Sequence, residues 1–153
     1  MKKVLLYQIL STIGIVVVAL LGSVFVGLGM TWFNGLLKPT QWLPNFVIPV
    51  VWTIIYLLEI ITLWILIGRK KMSKDLAVWF VINGILNVLW CLVFFALKLA
   101  FIGNVVIVLN LVAGFLLFVK LQKSNLLVSK LMLIYPLWLS IATTLNLALW
   151  VLN

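Results

Sequence analysis

The chain has no histidine, one cysteine and two acidic residues among its 153. Each scarcity removes a class of chemistry. Without histidine there is no imidazole base, and Asp75 in a polar stretch with Glu59 alone in an apolar one makes no acid–base pair. Neither a Ser/His/Asp or Cys/His arrangement nor a metal-ligand cluster can be assembled. The sequence therefore names no catalytic residue, no metal site and no required cofactor. Cys91 cannot form an intrachain disulfide, and within its apolar run it reads as a small buried hydrophobe. Charge is also scarce, at 8% of residues against roughly 25% in a typical soluble domain.

Apolar residues are what the chain has, at 67%. Such a chain cannot clothe itself in polar surface, so it reads as an all-α integral membrane protein. Its length allows one domain of about five spans at roughly 20 residues each. The net charge of +9 comes from cations in short clusters between apolar runs. That placement fits membrane topology and anionic headgroups, with the bilayer rather than nucleic acid as partner. Lys2 and Lys3 precede an apolar run too long for a signal peptide, and the run reads as the first membrane helix.

The breaks predict spans over about 4–28, 46–68, 76–97, 99–119 and 131–152, with a lid loop over 31–45 and a basic loop over 120–130. The runs are continuous, which excludes a β-barrel of alternating strands. Five spans place Lys2, Lys3, Arg69, Lys70, Lys71, Lys74, Lys120, Lys123 and Lys130 on one side, and Lys38 and Lys98 on the other. By the positive-inside rule the N-terminus is cytoplasmic.

Eight tryptophans stand out in this background. Trp79 and Trp150 fall near span ends and read as interfacial anchors, and Trp64 as a lipid-facing one. Others recur at helical spacing with hydrogen-bonding groups: Asn83, Asn87, Trp90 and Phe94 in span three, Trp52, Tyr56 and Glu59 in span two, Trp138, Ala142 and Asn146 in span five. Polar side chains avoid lipid, so the three stripes should face the bundle interior. Two readings stand side by side there: hydrogen-bonded glue between helices, or a cavity for a flat, greasy ligand. Glu59, near the middle of span two with no cation at its depth, is either a hydrogen-bonded structural carboxyl or a proton-coupling or ligand-contacting one. Ser23 and Gly27 supply small residues for helix packing or dimerisation.

Several motifs run in order along the chain: Trp32-Phe33, Leu37-Lys38-Pro39 and Pro44; Val51-Trp52-Thr53 and Tyr56; Asn87-Val88-Leu89-Trp90 with Phe94-Phe95; Tyr135-Pro136-Leu137-Trp138, then Ala142-Thr143, Leu145-Asn146 and Leu152-Asn153. Together they resemble the TspO/MBR translocator protein family, the tryptophan-rich sensory proteins. The resemblance implies a five-helix bundle, a homodimer, a bacterial cell membrane, and a pocket between helices beneath the first loop. It implies tetrapyrrole ligands such as protoporphyrin IX or haem. Trp32, Pro44, Trp52, Asn87, Trp90, Trp138, Ala142 and Asn146 become pocket or lid residues by this resemblance. The chain departs from the family pattern at Leu43, Asn45, Pro136, Glu59 and Gly103-Asn104. A sterol-recognition pattern is absent around Tyr135, and the reversed pattern Lys3, Tyr7, Leu10 is weak. The expected function is binding or sensing of a flat amphiphile. The alternatives are a small proton-coupled transporter using Glu59 and a light-dependent porphyrin-degrading enzyme.

Overall fold

A bilayer offers no water to backbone N–H and C=O groups, so long apolar runs satisfy them internally as helices. In the computed structural model, which describes residues 2–40, 42–44 and 46–153, they do so throughout. Met1, Gln41 and Asn45 lie outside the described residues, the last two within the expected lid loop. The helices are α1 (Lys2–Gly35), α2 (Val47–Gly68), α3 (Lys74–Cys91), α4 (Ala100–Ser124), α5 (Leu126–Met132) and α6 (Ile134–Leu152). Among the described residues five helical segments are long and apolar enough to cross a membrane, with α5 and α6 together forming the fifth.

Local chemistry explains where the helices stop. Ser73 caps α3, its hydroxyl accepting from the Leu76 N–H at 3.1 Å. Asn125 caps α5 by accepting from the Leu127 N–H at 3.1 Å. Pro136 has no N–H to return to the Met132 carbonyl, and the break between α5 and α6 falls there. Lys70 and Lys98 take left-handed backbone conformations, with φ of 54° and 58°, and each closes a helical segment. Before Lys98, α3 widens into a π-helical turn, Leu92–Ala96, where the Leu97 N–H reaches the Leu92 carbonyl at 2.9 Å.

The spans form a closed ring in the order α1, α2, α5–α6, α4, α3 and back to α1. Two clusters fill it. The half near the basic loops is aliphatic, built on residues such as Leu63, Leu66, Leu117, Leu121 and Leu139 with Tyr135 and Trp138. The other half is aromatic, built on Phe33, Trp90, Phe94 and Phe95, with Trp32 and Trp42 packed on it. Trp52 touches both.

Three expectations need correction. Helix α1 continues to Gly35, so Trp32 and Phe33 ride on its last turns and not on a loop; the connection to α2 begins only at Leu36. An apolar helix can project beyond the hydrocarbon when its end packs on protein, as Phe33 does against Phe95 at 5.2 Å. The basic loop over 120–130 is also helical, with Asn125 the single residue between α4 and α5. Finally, Ser23 and Gly27 do not mediate packing within the bundle. Ser23 is exposed and a Cβ on Gly27 would meet nothing within 4 Å. Gly29 does that work instead: a Cβ there would collide with the Phe95 backbone.

Candidate functional site

The three stripes converge as the periodicity requires. Asn83, Asn87, Trp90 and Phe94 are all buried on α3 and its π-helical turn, as are Trp138, Ala142 and Asn146 on α6. On α2, Glu59 is buried and Trp52 and Tyr56 are half-buried. The rings form a continuous array. Trp52 stacks on Tyr56 at 5.7 Å and on Trp90 at 6.4 Å, and Trp90 stacks on Phe94 at 6.0 Å with 20° between planes. Trp32 meets Phe94 edge-on at 5.6 Å. From the loop above, Trp42 packs on Phe33 at 5.9 Å. Such offset and edge-on pairs satisfy the ring quadrupoles.

The wide turn matters to this array. A π-helical turn carries one extra residue and so shifts the phase of the side chains that follow it. The π-helical turn buries Phe94 and Phe95 together. Opposite Phe94 stands Gly103 at the start of α4, where a Cβ would lie 2.9 Å from the ring. Gly103 was visible in the sequence only as a departure from the family pattern; here its lack of a side chain makes room for Phe94.

Polar groups around the array divide into two sets. Some are joined. Asn87 donates to the Tyr56 hydroxyl at 3.3 Å, linking α3 to α2. Asn146 donates to the Asn104 carbonyl oxygen at 3.2 Å, linking α6 to α4. Asn83 donates to the Trp79 and Ala113 carbonyls, at 2.8 and 3.3 Å. Tyr135 donates to Asn110 at 3.2 Å. These bonds are the interhelical glue that apolar packing alone does not supply in lipid. Sequence reasoning placed Asn83 and Asn146 but missed Asn104, Asn110 and Tyr135 as partners.

The second set is unpaired. The indole N–H groups of Trp42, Trp90 and Trp138 are buried with no hydrogen-bond partner among the described residues, and so are the side-chain nitrogens of Asn104 and Asn125, the Asn83 side-chain oxygen and the Thr62 hydroxyl. A buried donor without an acceptor costs about 1–3 kcal/mol. These three indoles are buried donors that no protein group among the described residues accepts from.

Other sequence-selected residues fall elsewhere. Pro44 is exposed; its carbonyl accepts from the Val47 N–H at 2.9 Å and starts α2, so it shapes the loop without lining an interior site. Trp64 is not a simple lipid anchor: its indole donates to the Thr12 hydroxyl at 2.9 Å and ties α2 to α1. Trp79 lies under Lys120, whose ammonium is 5.6 Å from the ring and paired with Asp75 at 2.6 Å. Trp150 is exposed beside Phe101.

Between α2 and α3 these rings pack directly on one another. Cavities among the described residues include a groove of about 1210 Å3 between α1 and α3, and a smaller recess of about 280 Å3 at the start of the loop, lined by Trp32, Leu36, Phe94, Lys98, Trp150 and Asn153. The loop itself is held down by Asn153. Its side-chain oxygen accepts from the Leu37 N–H at 2.9 Å, and its amide donates to the Leu37 carbonyl at 3.1 Å.

A five-span bundle with an aromatic interior under a pinned loop defines a multi-pass membrane protein of a tryptophan-rich type. Comparison with known proteins agrees: residues 11–151 match the TspO/MBR family, and the chain belongs to it. It is 32% identical over 152 residues to the tryptophan-rich protein TspO of Archaeoglobus fulgidus, covering 97% of this chain and 98% of that one. It is 30% identical over 126 residues to protein CrtK of Rhodobacter capsulatus, covering 80% and 78%.

Proposed function

We propose that the aromatic array of α2 and α3, together with Trp138 and Asn146 of α6, forms a binding and sensing site for a flat amphiphile, a tetrapyrrole such as protoporphyrin IX or haem. The observation that carries this reading is the set of buried indole N–H groups on Trp42, Trp90 and Trp138 that have no acceptor among the described residues. A macrocycle with an apolar face and polar edge atoms supplies both things the array lacks: a plane to stack on and acceptors for its donors. A flat ring held between two others needs about 7 Å, two contact distances of roughly 3.5 Å. Trp52 and Trp90 are stacked on each other, with 6.4 Å between ring centroids and 30° between planes, so the two rings must move apart to admit one. Asn87 and Asn146 would meet the ligand's polar edge, and binding proceeds without bond chemistry. A homodimer in the membrane is part of the same reading.

Tryptophan fluorescence of the purified protein, titrated with protoporphyrin IX, tests it. Saturable quenching is expected in the parent, with weakened affinity in Trp52→Phe and Trp138→Phe. Non-saturable quenching in the parent overturns the reading. Loss of pigment absorbance on illumination, beyond that of a protein-free control, would replace binding by degradation.

A second reading rests on Glu59, which is 7% exposed and has no hydrogen bond or cation among the described residues. One turn further on, Thr62 is fully buried with its hydroxyl unpaired. A carboxyl and a hydroxyl on one inward face could carry a proton during transport. Proton-driven uptake that survives Glu59→Gln would remove this reading.

A further inference from the structure

The groove between α1 and α3 lies outside the aromatic array and shares none of its rings. Its length is apolar, with Gly14, Val18 and Leu21 from α1 facing Val81, Gly84 and Val88 from α3. It opens toward the bilayer, since Leu10, Leu21, Val81, Ile85 and Leu89 on its walls are exposed. One end differs. There the lining is Tyr7, Ser11, Lys70, Ser73 and Lys74, at the basic face of the bundle.

The charge at that end is uncompensated. The chain has eleven Lys and Arg but two acids. Glu59 is buried inside the ring, and Asp75 is paired with Lys120 at 2.6 Å. Neither Lys70 nor Lys74 has an acidic partner among the described residues. Lys70 is also held in a left-handed backbone conformation, φ 54°, by the turn that ends α2, whose N–H groups at Lys70 and Lys71 reach back to Ile67 and Leu66. Its position at the groove mouth is therefore fixed by the fold. Basic pockets between membrane helices on the cytoplasmic side are recognition sites for anionic headgroups.

We propose that this groove binds an anionic phospholipid of the cytoplasmic leaflet, its phosphate between Lys70 and Lys74 and an acyl chain along Gly14, Val18 and Val88. The glycines set the width. A Cβ on Gly84 would already meet Val18 at 3.2 Å, whereas one on Gly14 would meet nothing within 4 Å. Gly84 brings the two walls together and Gly14 leaves the floor open for the chain. A second copy of this protein seated in the groove is the competing occupant. The charge argues against it, because its own cations would face these.

Native mass spectrometry of the full chain in detergent, with equimolar phosphatidylglycerol and phosphatidylcholine of identical chains, decides between them. The parent should retain the anionic lipid in about tenfold or greater preference. Lys70→Gln with Lys74→Gln should abolish that preference, and Lys123→Gln, outside the groove, should keep it. Gly14→Phe should lower retention of both lipids by filling the floor. Equal retention of the two lipids by the parent overturns the proposal, as does a preference unchanged in the double lysine variant. Loss of a dimer without loss of lipid in Gly14→Phe assigns the groove to a second copy. Should Gly14→Phe fail to insert, the lysine pair alone settles the outcome. Protoporphyrin quenching measured on the same variants stays unchanged, which separates this site from the aromatic one.

Discussion

The two halves of the bundle interior are built from different side chains and settle their polar atoms differently. The half near the basic loops is aliphatic and tightly fitted. Gly114 lets Leu139 and Tyr135 come so near α4 that a Cβ there would sit 2.9 Å from Leu139. Most of its polar groups are joined across helices, as in Tyr135 with Asn110 and Asn83 with Ala113. The opposite half is a set of rings whose indoles at Trp42 and Trp90 find no acceptor. Packing holds the first half together, and the second half retains unmet hydrogen-bonding capacity. The aliphatic half has unpaired atoms of its own among the described residues, at the Trp138 indole, the Thr62 hydroxyl, the Asn83 side-chain oxygen and the Asn125 side-chain nitrogen. The difference is one of side-chain type: aliphatic packing on one side and stacked rings on the other, with Trp52 touching both.

Substitutions can break that contrast. The largest effect should come from Gly29→Val, which forces a side chain into the Phe95 backbone and pushes α1 off the aromatic half. A cost of about 3 kcal/mol, the upper end for overpacking, is expected as a fall in thermal midpoint in detergent. A midpoint equal to the parent's would show that α1 docks elsewhere. Next is Tyr135→Phe, which strands the Asn110 oxygen and should cost about 2 kcal/mol of stability while leaving protoporphyrin affinity intact. Changed affinity there would erase the distinction between the halves. Trp90→Phe should lower affinity about tenfold, or about 1.4 kcal/mol, because it removes the indole N–H and part of the ring face, and it should also cost stability through the space left against Trp52, Phe94 and Phe95. The smallest effect belongs to Asp75→Asn at the basic face. That ion pair is exposed, so less than about 1 kcal/mol should be lost, and less still in high salt.

Much of the aromatic half was legible before any coordinates. Steps of four and three brought Asn87, Trp90 and Phe94 to one face, and the structure buries all three. Span ends at Gly68 and near Leu97 were readable from charge and turn residues, because cations and left-handed turns end helices whatever surrounds them. The role of α1 was not legible. Its buried residues are Gly22, Gly29 and Phe33 in a helix apolar on every side. Lipid and protein interior are both apolar, so hydrophobic patterning cannot say which face meets which. The end of α1 was missed for the same reason: Thr31 and Asn34 look like a loop until Phe33 is seen packed on Phe95. Asn104 and Asn110 were missed as the partners of Asn146 and Tyr135 because a hydrogen bond between helices is not written into the spacing of α4 itself.

The turn at Leu92–Ala96 has a consequence for how this chain tolerates change in its length. An α-helix carrying one surplus residue relaxes into such a turn, and everything beyond it is phased by that surplus. Deleting a single residue there would restore an ordinary helix, rotate Phe95 away from Gly29, and shorten the reach to Lys98, whose unusual backbone starts the crossing to α4. Point substitutions in this segment change one ring at a time, whereas a one-residue deletion would reset the phase of the whole outer end. Among relatives of this chain, insertions and deletions should therefore avoid 92–96 even where the individual side chains vary.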